Sequence, residues 1–299
     1  ARLPARVVAN APLIDRPSRE PGYLRELRSA PRPPEPEDLR SVLLRLLGCP
    51  SIASKRWVYE QYDHTVQINT VLKPGEADAA VLRVKGEDFG IAVTVDCFAQ
   101  LVHLDPRLGA ARCVVEALRN LVAVGAKPLG ITDCLNYANP EDSEVMWEFA
   151  ESVEGLAEAC LGLGVPVVSG NVSFYNQTER VKVLPTPTIG AVGIVDDVRR
   201  ALKMALAPGA KIILLGRPLG LTGSLFREIY GGPAELPPLD YSYEKALWES
   251  VWDALPTLEA CHDVSETGVL PALAEMAAAG GCLLYTSDAA DDGESVDLG

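Results

Sequence analysis

Apolar residues along this chain recur with two different periods, and the switches between them mark its elements. Leu39, Val42, Leu43, Leu46 and Leu47 fall at helical spacing behind Pro36-Glu37-Asp38, and Gly48 stops the run. A second stripe, Ala111, Val114, Leu118, Leu121 and Val122, predicts a helix from Arg107 to Gly125. A third begins near Asp142, buries Met146, Phe149, Val153, Leu156 and Cys160, and closes at Gly162 and Gly164. Two more helices are predicted over Tyr241–Leu255 and Glu266–Gly280, the latter with Val269, Leu270, Leu273, Met276 and Ala277 inward. Shorter, β-branched runs lie between them. Ala79–Lys85 and Phe89–Asp96 flank the turn Gly86-Glu87-Asp88, followed by Leu129–Asp133, Val165–Val168, Pro187–Val195, the KIILLG stretch of 211–216 and Cys261–Ser265. Lys55–Val71, dense in aromatics, charges and amides, reads as a surface helix followed by an edge strand. Its Tyr62, Asp63, His64 and Gln67 equally suit a ligand or a partner domain. Strands alternating with helices imply an α/β fold with mixed sheets.

Three of these strands end on polar residues, at Asp96, at Asp133 and at Ser169-Gly170-Asn171, with a helix between each pair. In open sheets, ligands collect at the carboxyl ends of strands. Gly170 lets a phosphate or sugar approach the backbone, and Asn171 and Ser173 offer neutral oxygens suited to Mg²⁺ or phosphate. The competing reading is that an Asp before a helix is an N-cap and nothing more.

Composition narrows the function classes. The 299 residues carry 41 acidic and 27 basic side chains, a formal net charge of −14, which argues against a nucleic-acid or anionic-membrane binder. No apolar run approaches membrane-spanning length, and the first residues contain no signal-peptide core. Seven cysteines without a C-x-x-C pair point to reduced thiols in the cytosol. Eight prolines within residues 1–36 predict a linker, or an arm laid over another domain. The glycines of 220–223 lack a P-loop lysine and dinucleotide-fingerprint spacing. His262 reads as a packed strand-end histidine, since no cysteine or serine nucleophile is placed to pair with it, and no catalytic acid or base is assigned to His64, His103 or His262.

Several stretches together resemble one family: YDHTVQINTVL, VTVDCFAQLVHLDP, EALRNLVAVGAKPLGITDCLNYANPE, VPVVSGNVSFYNQT, TPTIGAVGIV and ACHDVSETGVLPALAEMA. They are similar to the second half of the synthetase subunit of phosphoribosylformylglycinamidine synthase, over about residues 8 to 281. The resemblance implies a PurM-like synthetase unit. Its N-terminal, ATP-binding-type domain is expected over 37–206, and a truncated C-terminal α/β domain over 207–285. It implies ATP and Mg²⁺ as cofactors and formylglycinamide ribonucleotide as substrate. Ammonia would come from a glutamine amidotransferase, with small accessory subunits as further partners, and the whole would be cytoplasmic. Asp133 and Gly170 would contact ATP, Asn171 would ligate Mg²⁺, and Ser173 would contact the ribonucleotide.

The family's first half holds its catalytic histidines, and no counterpart is found here, so the chain is expected to be a fragment supplying one wall of a site. Alternatives are a nucleotide-binding half without turnover, or a related synthetase or kinase, such as aminoimidazole ribonucleotide synthetase or thiamine-phosphate kinase. Residues 286–299, small and acidic, are expected to be foreign to the fold or disordered.

Overall fold

A computed structural model describes residues 2–10, 14–217, 220–221 and 223–284. The acidic stretch 286–299 lies outside them. Ten helices are present among the described residues: α1 (Ala5–Ala9), α2 (Tyr23–Arg28), α3 (Leu39–Leu47), α4 (Arg56–Tyr59), α5 (Ala99–Leu104), α6 (Pro106–Ala123), α7 (Ser143–Leu163), α8 (Leu225–Tyr230), α9 (Tyr241–Ala254) and α10 (Val269–Gly280). Six strands, β1 (Thr70–Leu72), β2 (Ala80–Arg83), β3 (Gly90–Asp96), β4 (Lys127–Asn136), β5 (Val167–Ser173) and β6 (Thr186–Val195), form one sheet in the order β1-β2-β3-β6-β4-β5. Only β4 and β5 pair in parallel; every other neighbour is antiparallel. Because β6 runs against both β3 and β4, the strands β3, β4 and β5 all point the same way, and their carboxyl ends share one edge of the sheet.

The long helices form close to where their stripes predicted, although Leu39 of α3, Val153 of α7 and Leu270 of α10, expected inward, are exposed; α6 and α7 start at side-chain caps. The Asp105 carboxylate accepts from the Leu108 N–H, and Asp142 accepts from the Glu144 N–H. Such caps stabilise a helix by about 1 kcal/mol. Val114, Leu118 and Leu121 of α6, with Leu156, Ala159 and Leu163 of α7, pack on Val81, Ala92, Ile131, Leu135, Ile189 and Ala191 of the sheet. Each fully buried leucine or isoleucine contributes about 1.5–3 kcal/mol. The helices approach closely because Gly155 of α7 faces the Arg107 backbone, where a Cβ would overlap the carbonyl. No helix of the described residues covers the opposite sheet face: Ile91, Val93 and Val95 are exposed there.

The proline-rich start is an arm laid over this unit. Leu24 is completely buried, Tyr23 stacks on His103 with ring centroids 4.2 Å apart, and Tyr23 Oη donates to Glu148 Oε1 at 2.6 Å. In the 55–71 stretch one helical turn precedes β1, which is an edge strand as predicted.

Four expectations are corrected. Leu129–Asp133 does not end at the aspartate: β4 continues to Asn136. Nor do Ser169-Gly170-Asn171 break their strand. β5 runs through them to Ser173, because parallel pairing of Asp133 with Gly170, Cys134 with Asn171 and Asn136 with Ser173 satisfies their backbone groups. The KIILLG stretch is no strand: Lys211–Leu215 have no regular structure, and Ile213 is exposed, since no neighbouring edge among the described residues receives its hydrogen bonds. Cys261–Ser265 likewise forms none. Beside it only Ala260 makes a lone bridge, to Lys203, while the side chains that follow are taken up by ionic contacts. No helix of the described residues is long and apolar enough to cross a membrane.

Candidate functional site

Register places Asp96, Ile189, Asp133 and Gly170 side by side in one row across β3, β6, β4 and β5. Two strand spacings put the Asp96 and Asp133 backbones about 10 Å apart. Neither acid caps a helix: α5 begins at Phe98 and α7 at Asp142. The capping alternative therefore falls, and both carboxylates are left for other work.

Asp133 lies directly over Gly170. A Cβ on that glycine would sit 2.7 Å from Asp133 Oδ1 and 2.9 Å from Oδ2. Partial burial raises the Asp133 pKa, while the backbone N–H of Asn171, donating to its carboxylate, works the other way. On α7, burial first and Asp133 second push the Cys160 thiol up to about 11. Asp133 thus belongs to the helix-covered face. Asn171 follows Gly170 and points to the other face, where its Nδ2 donates to Ser173 Oγ at 3.3 Å. The four predicted residues are therefore contiguous along β4 and β5 but divided into two pairs, Asp133 with Gly170 and Asn171 with Ser173, on opposite sides of the sheet. The chain beyond Ser173 is pinned by Asn176 Nδ2, which donates to Ser173 O at 2.9 Å, and by Phe174 packing edge-on against Phe149.

The densest charge lies at the Asp96 end of the row. Asp78, Asp96, Glu116, Asn120, Asp263, Ser265 and Glu266 line a cavity of about 290 Å³. Asn120 Nδ2 donates to Asp96 Oδ2 at 3.0 Å. Burial, then Glu266 and Asp263, push Asp96 up to about 7. Glu116 is raised by burial and by the same neighbours, and Asp263 is pushed up to about 6 by burial, against the pull of Arg119. Asp78 Oδ2 and Asp263 Oδ2 are buried without a hydrogen-bond partner. Beside the cavity, His262 Nδ1 lies 2.7 Å from Asp78 Oδ1 and Nε2 3.2 Å from Glu275 Oε2. Burial opposes the imidazolium charge, but these two hydrogen bonds prevail and hold its pKa at about 10. His262 is a clamp between Asp78 and Glu275.

Mg²⁺ prefers one or two carboxylates, water and phosphate oxygens over an all-protein cage. Among the described residues no three His, Cys, Asp or Glu side chains converge as a metal cluster. The mutually repelling carboxylates of the cavity, with Asp78 Oδ2 and Asp263 Oδ2 unpartnered, nonetheless suit a hard cation that brings its own phosphates. Asn171, whose side chain touches the Ser173 hydroxyl, can add a single oxygen. Sequence reasoning picked out Asp96 but missed Asp78, Glu116, Asn120, Asp263 and Glu266. The legible signal was Glu116 and Asn120, one turn apart on α6 and beside its apolar stripe.

Residues 76–195 match the family described as AIR synthase related protein, N-terminal domain. The phosphoribosylformylglycinamidine synthase subunit PurL of Thermomicrobium roseum is 46% identical over 288 residues, which are 92% of this chain and 39% of that protein. The structure of Thermotoga maritima PurL complexed with ATP superposes with a TM-score of 0.54 and 28% identity, covering 85% of this chain and 36% of that one. Its complex with FGAR gives 0.53 and 27%, covering 85% and 35%. The chain thus spans about two fifths of the length of the curated relatives it matches. By sequence and by its mixed α/β fold, the chain is homologous to part of the PurL subunit of phosphoribosylformylglycinamidine synthase.

Proposed function

We propose that the chain is the C-terminal half of an ATP-dependent C–N ligase. The enzyme would convert FGAR and ammonia to formylglycinamidine ribonucleotide in cytoplasmic purine synthesis. The reaction moves the γ-phosphoryl group of ATP to the amide oxygen, releasing ADP. Ammonia then adds to the activated carbon, and phosphate leaves with the oxygen. A glutamine amidotransferase and small accessory subunits would deliver the ammonia, and an N-terminal half would complete the site. In this reading residues 37–206 are the ATP-binding-type domain, and a second domain, helical among the described residues, begins near 207.

The observation that carries the reading is the Asp133–Gly170 pair, level with Asp96 on co-directional strands. Gly170 leaves room for the Asp133 carboxylate to lie over the strand, and the two together would contact ATP. Asn171 would give its amide oxygen to Mg²⁺, and Ser173 its hydroxyl to the ribonucleotide. Bound Mg²⁺ would neutralise charge on the phosphoryl group in transfer.

A second reading concerns the acidic cavity. Its position on the helix-covered side, away from Asn171 and Ser173, favours a Mg²⁺–nucleotide held there without turnover, a structural site in the same half.

The test combines this chain with the N-terminal half and the amidotransferase. ATP- and glutamine-dependent amidine formation is expected from the combination and from neither part alone. Robust product from this chain by itself, or none from the combination, overturns the proposal. Nucleotide that stays unhydrolysed through turnover, and is lost in an Asp263→Asn variant, supports the structural site.

A further inference from the structure

The uncovered face of the sheet carries a second register pattern. Cys134 is flanked by Thr188 on β6 and Asn171 on β5, and Asn136 by Thr186 and Ser173. Side chains at paired positions share a face, and positions two apart along a strand share it as well. The rows Thr188–Cys134–Asn171 and Thr186–Asn136–Ser173 therefore make one neutral, polar strip on the side facing away from the helices. The side chains confirm the shared face. Asn136 Nδ2 lies 3.6 Å from Cys134 Sγ and donates to Cys134 O at 3.0 Å, and Asn171 Nδ2 donates to Ser173 Oγ at 3.3 Å.

These contacts use both amide N–H₂ groups and leave both amide oxygens, Asn136 Oδ1 and Asn171 Oδ1, without a hydrogen bond among the described residues. An exposed pair of amide oxygens beside a serine hydroxyl accepts O–H donors. It holds no fixed cation for an anion and no apolar surface for a ring. Farther along the same face Ile91, Val93 and Val95 are apolar, so the polar character is confined to the β4–β5–β6 end.

We infer that Asn136 and Cys134 extend the proposed Ser173 contact into a strip that binds the ribose of the ribonucleotide substrate, with Asn136 Oδ1 accepting from a sugar hydroxyl. This rests on the reading of Ser173 given above. Among the seven cysteines Cys134 is the exposed one, so its thiol reports directly on occupancy of the strip.

The experiment uses the complete synthase containing this half. Saturating FGAR is expected to slow alkylation of Cys134 by iodoacetamide, read by peptide mass spectrometry. Asn136→Ala is expected to raise KM for FGAR about tenfold with kcat little changed, the loss of one substrate hydrogen bond. Full-rate alkylation of Cys134 under saturating FGAR, or a wild-type KM in Asn136→Ala, overturns the strip. Ser173→Ala separates the two ideas. A raised KM there, with either negative result, removes this inference and leaves the functional reading standing. A wild-type KM in Ser173→Ala removes that reading as well.

Discussion

Asp133 and Gly170 are register partners on parallel strands, and the glycine is the space the carboxylate occupies: a Cβ on residue 170 would stand 2.7 Å from Asp133 Oδ1. This contact joins local sequence to site chemistry. Gly170→Ala should push the Asp133 carboxylate aside and destabilise the chain by no more than about 1 kcal/mol, because Asp133 is only half-buried and can turn away. The double variant Gly170→Ala/Asp133→Ala should recover most of that loss, because the clash has gone, while ATP affinity stays low. Chemical denaturation and nucleotide titration read the two effects. A double variant no more stable than Gly170→Ala would show that the strain lies elsewhere.

Arg119 on α6 and Glu244 on α9 form a paired guanidinium–carboxylate contact, with Nε donating to Oε2 at 2.8 Å and Glu244 only 4% exposed. Removing one partner from a buried pair strands the other charge. Glu244→Ala should cost about 3–5 kcal/mol, whereas replacing both residues by apolar ones of similar size should cost far less. Equilibrium unfolding in urea checks the difference. Equal losses in the single and double variants would reduce this contact to ordinary packing.

The helices α6 and α7 and the strands β3 and β6 were legible because long stripes or alternations recorded their buried faces. The order of strands was not. Nothing local in Thr186–Val195 says that it inserts between β3 and β4, since that placement is set by long-range pairing. Asp133 and Gly170-Asn171 read as strand ends because Asp, Gly and Asn usually interrupt strands. Here the pairing of β4 with β5 overrode the local preference. The Lys211–Gly216 stretch failed in the opposite direction: its apolar run had the composition of a strand but no edge to join. Of the acidic cavity, Asp96 could be read from its strand end. Asp263 and Glu266 come from a segment over 140 residues away, and only folding brings them to it.

His262 supplies a pH test. Its pKa is about 10 in the folded chain against an ordinary 6.5, so the folded state holds a proton that the unfolded chain releases. The stability it contributes, with Asp78 and Glu275 as the facing carboxylates, is complete below about pH 6.5 and is lost as pH rises through 10. His262→Gln, which cannot carry the charge, should be less stable than the parent by about 1–3 kcal/mol near pH 6. The gap should narrow steadily by pH 10. Melting temperatures of both chains across that range decide it, and a gap independent of pH would mean that the imidazole is held neutral.

The acidic cavity predicts a slope of the same sign over a lower pH window. Asp96 is held at about 7 and Asp263 at about 6, both above the ordinary carboxylate value, so here the folded state binds protons more tightly than the unfolded one. Stability is therefore lost as pH rises from about 4, where unfolded acids ionise, to about 7, where these do. A Mg²⁺ ion brought in by phosphates and met by one or two of the cavity's carboxylates would relieve that repulsion, and protons would compete with it. Mg²⁺ with ATP should raise the melting temperature more at pH 8 than at pH 5. Ligand at a hundredfold excess over its Kd adds about 2.7 kcal/mol. Asp96→Asn should melt higher than the parent at pH 8 in chelator, since one repelling charge is gone, and should respond less to Mg²⁺ and ATP. A Mg²⁺–ATP shift that is equal at the two pH values, or undiminished in Asp96→Asn, would place the cation outside this cavity and leave Asn171 as the proposed oxygen ligand.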